Sequence, residues 1–323
     1  MLTASLLHSG GLTREFRYVP YGDSAPPGVP SLSCDGKVPG TTLDLTHWTN
    51  NETPEALYAD TSTEIALNFA RARLRGEYAD LDDALIVNNH FDSDGVLSVF
   101  ACTHPEEALR HAPLMVAGAE AGDFGEWSTQ AGVQLDLALN ALCTDDDDEG
   151  YSGALAALPS LLEDLGSHAD LWRDGWDATV SSYELLASGE AEISRHGRVA
   201  VLTQPASRAR VDAAALHRGL RERGIDGLAG PADACHRVLR AEHDGARWRY
   251  EYSKPGHGWV ARLKERAEVP AADGAAIAAG LNERLGAGWE AAGGLIPICR
   301  TRWVDAPPDA VVAALAEVDA AAS

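Results

Sequence analysis

The sequence predicts an α/β fold in which a mainly parallel sheet flanked by helices is followed by a second, smaller α/β domain. Short apolar runs of strand type alternate with longer helical patterns, as in TTLDLTHW, EIALNFARARLRGEY and ALIVNNHF between residues 41 and 91. The chain has 323 residues, 45% of them hydrophobic, which is too apolar for disorder and long enough to bury a substantial core. Charge also divides along the chain. Residues 1–194 hold 8 basic and 33 acidic groups, whereas residues 195–266 hold 15 and 8. The division fits either a basic segment that simply balances the acidic surface within the chain, or an acidic half that holds a cation beside a segment that receives an anion; on the second reading we expect an acidic α/β metal-binding domain over 1–190 and a smaller, partly basic α/β domain over 191–323.

The same arithmetic excludes several classes. A formal net charge of −23 repels phosphate backbones, so non-specific nucleic-acid binding is disfavoured. No run approaches the roughly 20 apolar residues that cross a bilayer, and MLTASLLHSGGLTREF turns polar too soon for a signal peptide. A cytoplasmic protein without membrane contact is expected. Cys34, Cys102, Cys143, Cys235 and Cys299 are scattered and odd in number, which argues against a disulfide framework or a thiolate zinc site. Phosphate-loop, dinucleotide-turn, nucleophile-elbow and His-Glu-x-x-His patterns do not occur.

Taken in order, residues 20–40 concentrate Pro, Gly and Ser and predict an irregular arm. A short strand follows within 41–48 and ends in the turn NNETP. Asp60 or Ser62 is the expected N-cap of a helix whose Ile65, Leu67, Phe69, Ala70 and Leu74 approximate helical spacing. The run 84–91 reads as a central strand that passes through an Asp-Ser-Asp-Gly turn into a helix. Further helices are expected at 105–112, 126–142, 151–165 and 170–188. The acidic run 145–149 predicts a solvated loop, because five consecutive acids cannot all face one ion. A strand at 198–204, a helix at 211–224, a hairpin turning at Asp244-Gly245 and a strand at 258–263 make the second α/β unit. Helices at 273–285 and 308–321 close the chain.

The chemistry concentrates at His90-Phe91-Asp92-Ser93-Asp94-Gly95. In a parallel sheet, ligands bind beyond the carboxyl ends of strands, where this turn lies. In near-extended backbone, positions 90, 92 and 94 aim an imidazole and two carboxylates at one centre, a donor set suited to Mn²⁺ or Mg²⁺. An N-cap for the following helix is the ordinary use of Asp92 or Asp94. A calcium loop is excluded because its twelfth position is Ala101 and not a bidentate Glu.

The run IVNNHFDSDGVLSVF resembles the first motif of the DHH phosphoesterase superfamily, in which a strand ends in His or Asp, an Asp-x-Asp pair and a Gly that opens a helix. The resemblance implies a metal-dependent hydrolase of a small phosphate ester or anhydride, using manganese or magnesium ions. It also implies an α/β metal domain, a long connecting helix and a smaller basic substrate domain. The Asp-His-His signature of that superfamily is absent, its nearest echo being Asp44-Leu-Thr-His47, and its Gly-Gly-His motif has only a vague echo in Lys254-Pro-Gly-His-Gly-Trp259. A two-metal site of that kind needs about six to eight protein ligands. Asp123, Asp60 and His47 are the best additions to His90, Asp92 and Asp94, although each also fits a cap, a turn or a packed histidine. In the basic segment Arg247, Arg249 and His257 are the expected contacts to an anionic, phosphorylated substrate, though a solvated strand face explains the arginines equally. The competing reading is a non-catalytic ligand- or protein-binding member of the same α/β scaffold.

Overall fold

The computed structural model describes residues 14–143, 148–226, 234–286 and 288–322. It is a two-domain α/β structure, with one parallel and one mixed sheet flanked by helices. Compact unit 1 comprises Met1–Trp176 and Val260–Lys264, and unit 2 comprises Asp177–Trp259 and Glu265–Ser323.

In unit 1, strands β1 (Phe16–Tyr18), β2 (Ser31–Cys34) and β3 (Leu43–Leu45) are followed by helix α1 (Ser62–Leu74) and strand β4 (Leu85–Asn88). The four strands pair in parallel in the order β1-β4-β2-β3. Period-2 geometry explains the uninterrupted apolar run of β4. Its Ile86 enters the main helical core, while Leu85 and Val87 face the opposite side with Val19, Ala25 and Val38. The turn after β4 opens α2 (Ser93–Thr103). Helices α3 (Pro105–Arg110), α4 (Ala112–Phe124), α5 (Gln130–Leu142) and α6 (Asp148–Glu163) follow. Helix α7 (Ala169–Ala187) contains the division between the units.

Unit 2 continues with β5 (Glu192–His196), β6 (Val199–Pro205), α8 (Ala213–Glu222), β7 (Arg237–His243) and β8 (Trp248–Ser253). Helix α9 (Gly274–Leu285), strands β9 (Trp289–Ala291) and β10 (Pro297–Thr301) and helix α10 (Pro308–Ala322) complete it. The sheet order is β5-β6-β7-β8-β10-β9, with β6 and β7 parallel and the other pairs antiparallel. On one face Leu239, Ala241, Tyr250, Tyr252 and Cys299 bury against α9 and α10. On the other face α8 packs over Ala200, Leu202 and Val238. No helix among the described residues is long and apolar enough to cross a membrane.

Several expectations are corrected. Residues 20–40 are not irregular throughout: they contain β2, all four of whose residues are buried. Its short, small-residue run lies between Pro and Gly punctuation and has too few apolar side chains to show a period. The α1 cap is Thr61, within a capping box with Glu64, and neither Asp60 nor Ser62. Residues 258–263 form no strand. Gly256–Trp259 is a 3₁₀ turn and Val260–Lys264 crosses to unit 1, where the Arg262 carbonyl accepts a hydrogen bond from Tyr58 Oη at 2.9 Å. Helix α4 and strands β1, β5, β9 and β10 were not anticipated, and Asp145–Asp147 of the acidic run lie outside the described residues.

The packing of α4 on α5 supplies a test. A Cβ on Gly132 would lie 2.5 Å from the Ala117 carbonyl oxygen, inside the neighbouring helix backbone. Alanine gains about 1 kcal/mol of helix propensity, but overpacking against backbone costs about 1–3 kcal/mol. Gly132→Ala is therefore expected to lower the urea midpoint of unfolding. An unchanged or higher midpoint contradicts this close approach.

Candidate metal centre

Three adjacent parallel strands deliver the site. Asp35 directly follows β2, His47 lies two residues beyond β3, and His90 lies two residues beyond β4. Because β3, β2 and β4 are neighbours running in one direction, their carboxyl ends bring residues far apart in sequence to one edge. Asp35 takes a left-handed conformation, φ 60°, which Asp tolerates better than most residues. Gly36 then lets the loop pass close: a Cβ there would lie 2.0 Å from Asn89 Oδ1. Gly95 serves the same purpose across the site, since a Cβ would fall 2.6 Å from Asn88 Nδ2.

The Asp35 carboxylate has one oxygen toward each histidine. Its Oδ2 is 2.9 Å from His90 Nε2, and its Oδ1 is 3.6 Å from His47 Nε2. Two donor groups result, Asp35–His90–Asp92 and Asp35–His47–Asp94, each with its ligand atoms within 4.8 Å of one another. In the first, His90 Nε2 is 3.1 Å from Asp92 Oδ2. In the second, His47 Nε2 is 3.7 Å from Asp94 Oδ2 and 3.0 Å from Asp123 Oδ2. Ligands at about 2.1 Å from an octahedrally coordinated ion are about 3.0 Å from their neighbours; the separations of 2.9, 3.0 and 3.1 Å match that spacing, and those of 3.6 and 3.7 Å are wider.

Both imidazoles are oriented from behind. His47 Nδ1 donates to the Asp60 carbonyl. His90 Nδ1 lies 3.0 Å from the Asn89 amide oxygen, and that amide is fixed by its own donation to the Lys37 carbonyl at 3.1 Å. A carbonyl or amide oxygen only accepts, so the proton resides on Nδ1 and Nε2 is turned toward the carboxylates in each case. This is how protein groups orient metal-binding histidines. Asp35 Oδ2 and Asp123 Oδ2 are buried without a hydrogen bond of acceptable geometry, although each faces an Nε2 closely.

The electrostatics point the same way. Asp35, Asp92, Asp94 and Asp123 bring four carboxylates to two imidazoles. Burial, then Asp123 and Asp35, push the Asp94 carboxyl well above the usual range. Asp123 is also raised, chiefly by burial. Burial disfavours charge on His90, but Asp35 and Asp92 outweigh it and lift the imidazole to about 11; His47 is raised in the same way by Asp123, Asp94 and Asp35. Without an ion this cluster therefore holds extra protons, because buried like charges are costly. Hard oxygens with two imidazoles suit an oxygen-preferring divalent cation, and the residues present fit one.

Of the residues expected from sequence, His90 and Asp92 share one donor group with Asp35, whereas Asp94 joins His47 in the other, with Asp123 beside that histidine. The single centre expected of residues 90, 92 and 94 is thus divided, because the chain turns into α2 at Ser93 and does not stay extended. Asp92 is also the N-cap of α2, accepting from Gly95 N at 2.7 Å, and Asp94 accepts from Ser62 N and Thr63 N at the start of α1. Asp123 is in the last turn of α4 and not in a loop, because that helix continues to the left-handed Gly125. Asp60 belongs to neither donor group: its carbonyl holds His47 and its carboxylate accepts from Lys264 N. Asp35 was missed. Its available signal was an Asp-Gly pair directly after a strand; the same dipeptide recurs as Asp94-Gly95 in the first turn of α2. Asp136 was also missed; burial pushes it up to about 6 while Ser93 Oγ donates to it at 2.6 Å. In unit 2, Arg247 and Arg249 both lie over the Trp303 ring, at 5.9 and 5.3 Å, paired with Asp244 and Glu242 respectively, and His257 is buried in a 3₁₀ turn.

Residues 14–307 match the model of a family described as a family of unknown function, DUF6687, and the chain belongs to that family. No curated protein matches it significantly. Among solved structures, a pGpG-specific phosphodiesterase, PggH, from Vibrio cholerae is similar at a TM-score of 0.40 and 11% identity, covering 90% of this chain and 84% of that chain. A likeness of that degree carries no argument about this site.

The geometry makes a direct expectation about stability. A ligand that binds only the folded chain, present at a hundred times its Kd, adds about 2.7 kcal/mol. Mn²⁺ is expected to raise the unfolding temperature of the chelator-treated protein, and Asp35→Asn to remove that shift. A shift of equal size in the variant contradicts the placement of Asp35 between two donor groups.

Proposed function

We propose that this protein is a metal-dependent hydrolase of a small phosphate ester or anhydride, with Mn²⁺ or Mg²⁺ as its ions. The observation that carries the reading is the division of the Asp35 carboxylate between two histidine-bearing donor groups. Asp35, His90 and Asp92 would hold one ion, and Asp35, His47, Asp94 and Asp123 the other. A divalent ion held there lowers the pKa of a bound water toward neutrality and offsets charge on phosphoryl oxygens.

The protein's own residues prepare that chemistry. Asp35, His47 and Asp94 form a dry floor, each with a side chain 0% exposed, whereas His90 and Asp92 are 18% and 33% exposed. Substrate would therefore approach over His90 and Asp92. The Asp60 carbonyl and the Asn89 amide keep the imidazole planes from turning as it does so. The Trp48 ring, 5.1 Å from that of His90, further limits its rotation. Asp92 and Asp94 act twice, since the carboxylates that face the histidines also satisfy the free N–H groups at the starts of α2 and α1.

This double use decides which variants are informative. Alanine at Asp92 removes the α2 cap, and at Asp94 the acceptor for the first N–H groups of α1, together with a ligand, so Asp35→Asn and His90→Gln are the cleaner tests. Hydrolysis of a nitrophenyl phosphodiester and of pyrophosphate, with Mn²⁺ and with chelator, is expected to be metal-dependent. Each variant should reduce kcat by at least about 100-fold with secondary structure retained. Hydrolysis unaffected by chelator, or wild-type turnover in Asp35→Asn, contradicts the proposal.

A further inference from the structure

Unit 2 has a basic cleft of its own. It is a cavity of about 340 Å³ on the sheet face opposite the α9–α10 core. Alternation explains its composition. Leu239, Ala241, Tyr250, Tyr252 and Cys299 point into the core, so Arg240, Glu251 and Arg300 point to the other face. The register sets these three side by side, with Arg240 on β7 opposite Glu251 on β8 and Arg300 on β10 opposite that same Glu251. Two guanidinium groups thus flank one carboxylate, and Arg208 and Arg210 from the loop after β6 also line the cavity.

The carboxylates available are already engaged. Glu251 pairs with Arg210, Glu242 with Arg249, and Arg208 with Glu190. Among the described residues, Arg240 has no ion pair; its one hydrogen bond runs from Nη1 to the Val211 carbonyl, leaving the rest of its fork uncommitted. The Arg300 side chain makes neither a hydrogen bond nor an ion pair among the described residues. Burial and then the neighbouring Arg210 depress Arg240 to about 10, against the opposing pull of Glu251, Asp212 and Glu242. Five arginines against two glutamates in the lining make a local excess of positive charge that stands out in a chain of net charge −23.

We propose that this cleft binds a phosphorylated small molecule, with Arg240 and Arg300 holding its phosphate. A phosphate dianion answers two cations that form no ion pair and offers oxygens to both forks. The cavity is larger than one phosphate and near the lower end of small-molecule sites, which leaves room for a compact organic group such as a sugar. The inference does not depend on the metal reading.

The test is calorimetric titration of the full chain with inorganic phosphate in chelator, so that no metal-bound phosphate contributes, against chloride at matched ionic strength. Phosphate is expected to bind more tightly than chloride, and Arg300→Gln and Arg240→Gln each to weaken it by about tenfold. Arg300 is exposed and anchors nothing, so its variant decides the matter if loss of the Arg240–Val211 contact unfolds the other. Phosphate binding no stronger than chloride, or wild-type affinity in Arg300→Gln, overturns the proposal.

Discussion

One buried carboxylate organises the first unit. Asp35 has no exposed surface and lies between two imidazoles whose far nitrogens are tied to the Asp60 carbonyl and the Asn89 amide. With Asp92, Asp94 and Asp123 alongside, the cluster holds more negative charge than two histidines can neutralise. Burial of uncompensated charge costs several kcal/mol per group. Protonation offsets that cost, and the upward shifts of the Asp94 and Asp123 carboxyls and of both imidazoles lie in that direction. A divalent cation removes the same cost without protons.

The scaffold explains why the cluster can exist at all. Parallel strands give three loops a common edge, and glycine at positions 36 and 95 lets those loops approach more closely than any Cβ permits. Helices α1 and α2 begin at the site, so their unpaired N–H groups meet the carboxylates that the site requires. Structure and chemistry are met here by the same atoms. That economy also makes Asp92 and Asp94 poor probes of chemistry alone.

The two-domain α/β class was legible from the alternation of strand-like and helical segments, and the strand–turn–helix around His90 from the apolar run of β4. His47 and Asp123 were legible only as residue types near element ends. Asp35 was not legible, because β2 is four residues of mixed polarity between Pro and Gly, and a parallel strand that short shows no period. Helix α4 hid Asp123 behind the same difficulty, its Ala- and Gly-rich run reading as an apolar segment without a polar face. The supposed strand at 258–263 failed because its contacts are with Tyr58 and Asp60, some two hundred positions earlier in the chain, which no local pattern encodes. In unit 2 the alternation of the β7–β8 hairpin was readable, whereas the meeting of Arg240 with Arg300 required β10, whose place in the sheet only the fold reveals.

The account stands or falls on where a cation settles. The most direct measurement is an anomalous difference map from crystals grown with Mn²⁺, recorded at the manganese absorption edge. Two peaks are expected, one on each side of the Asp35 carboxylate, the first within reach of His90 Nε2 and the second of His47 Nε2. A map without density at Asp35, or with manganese only on exposed surface acids, contradicts the central claim.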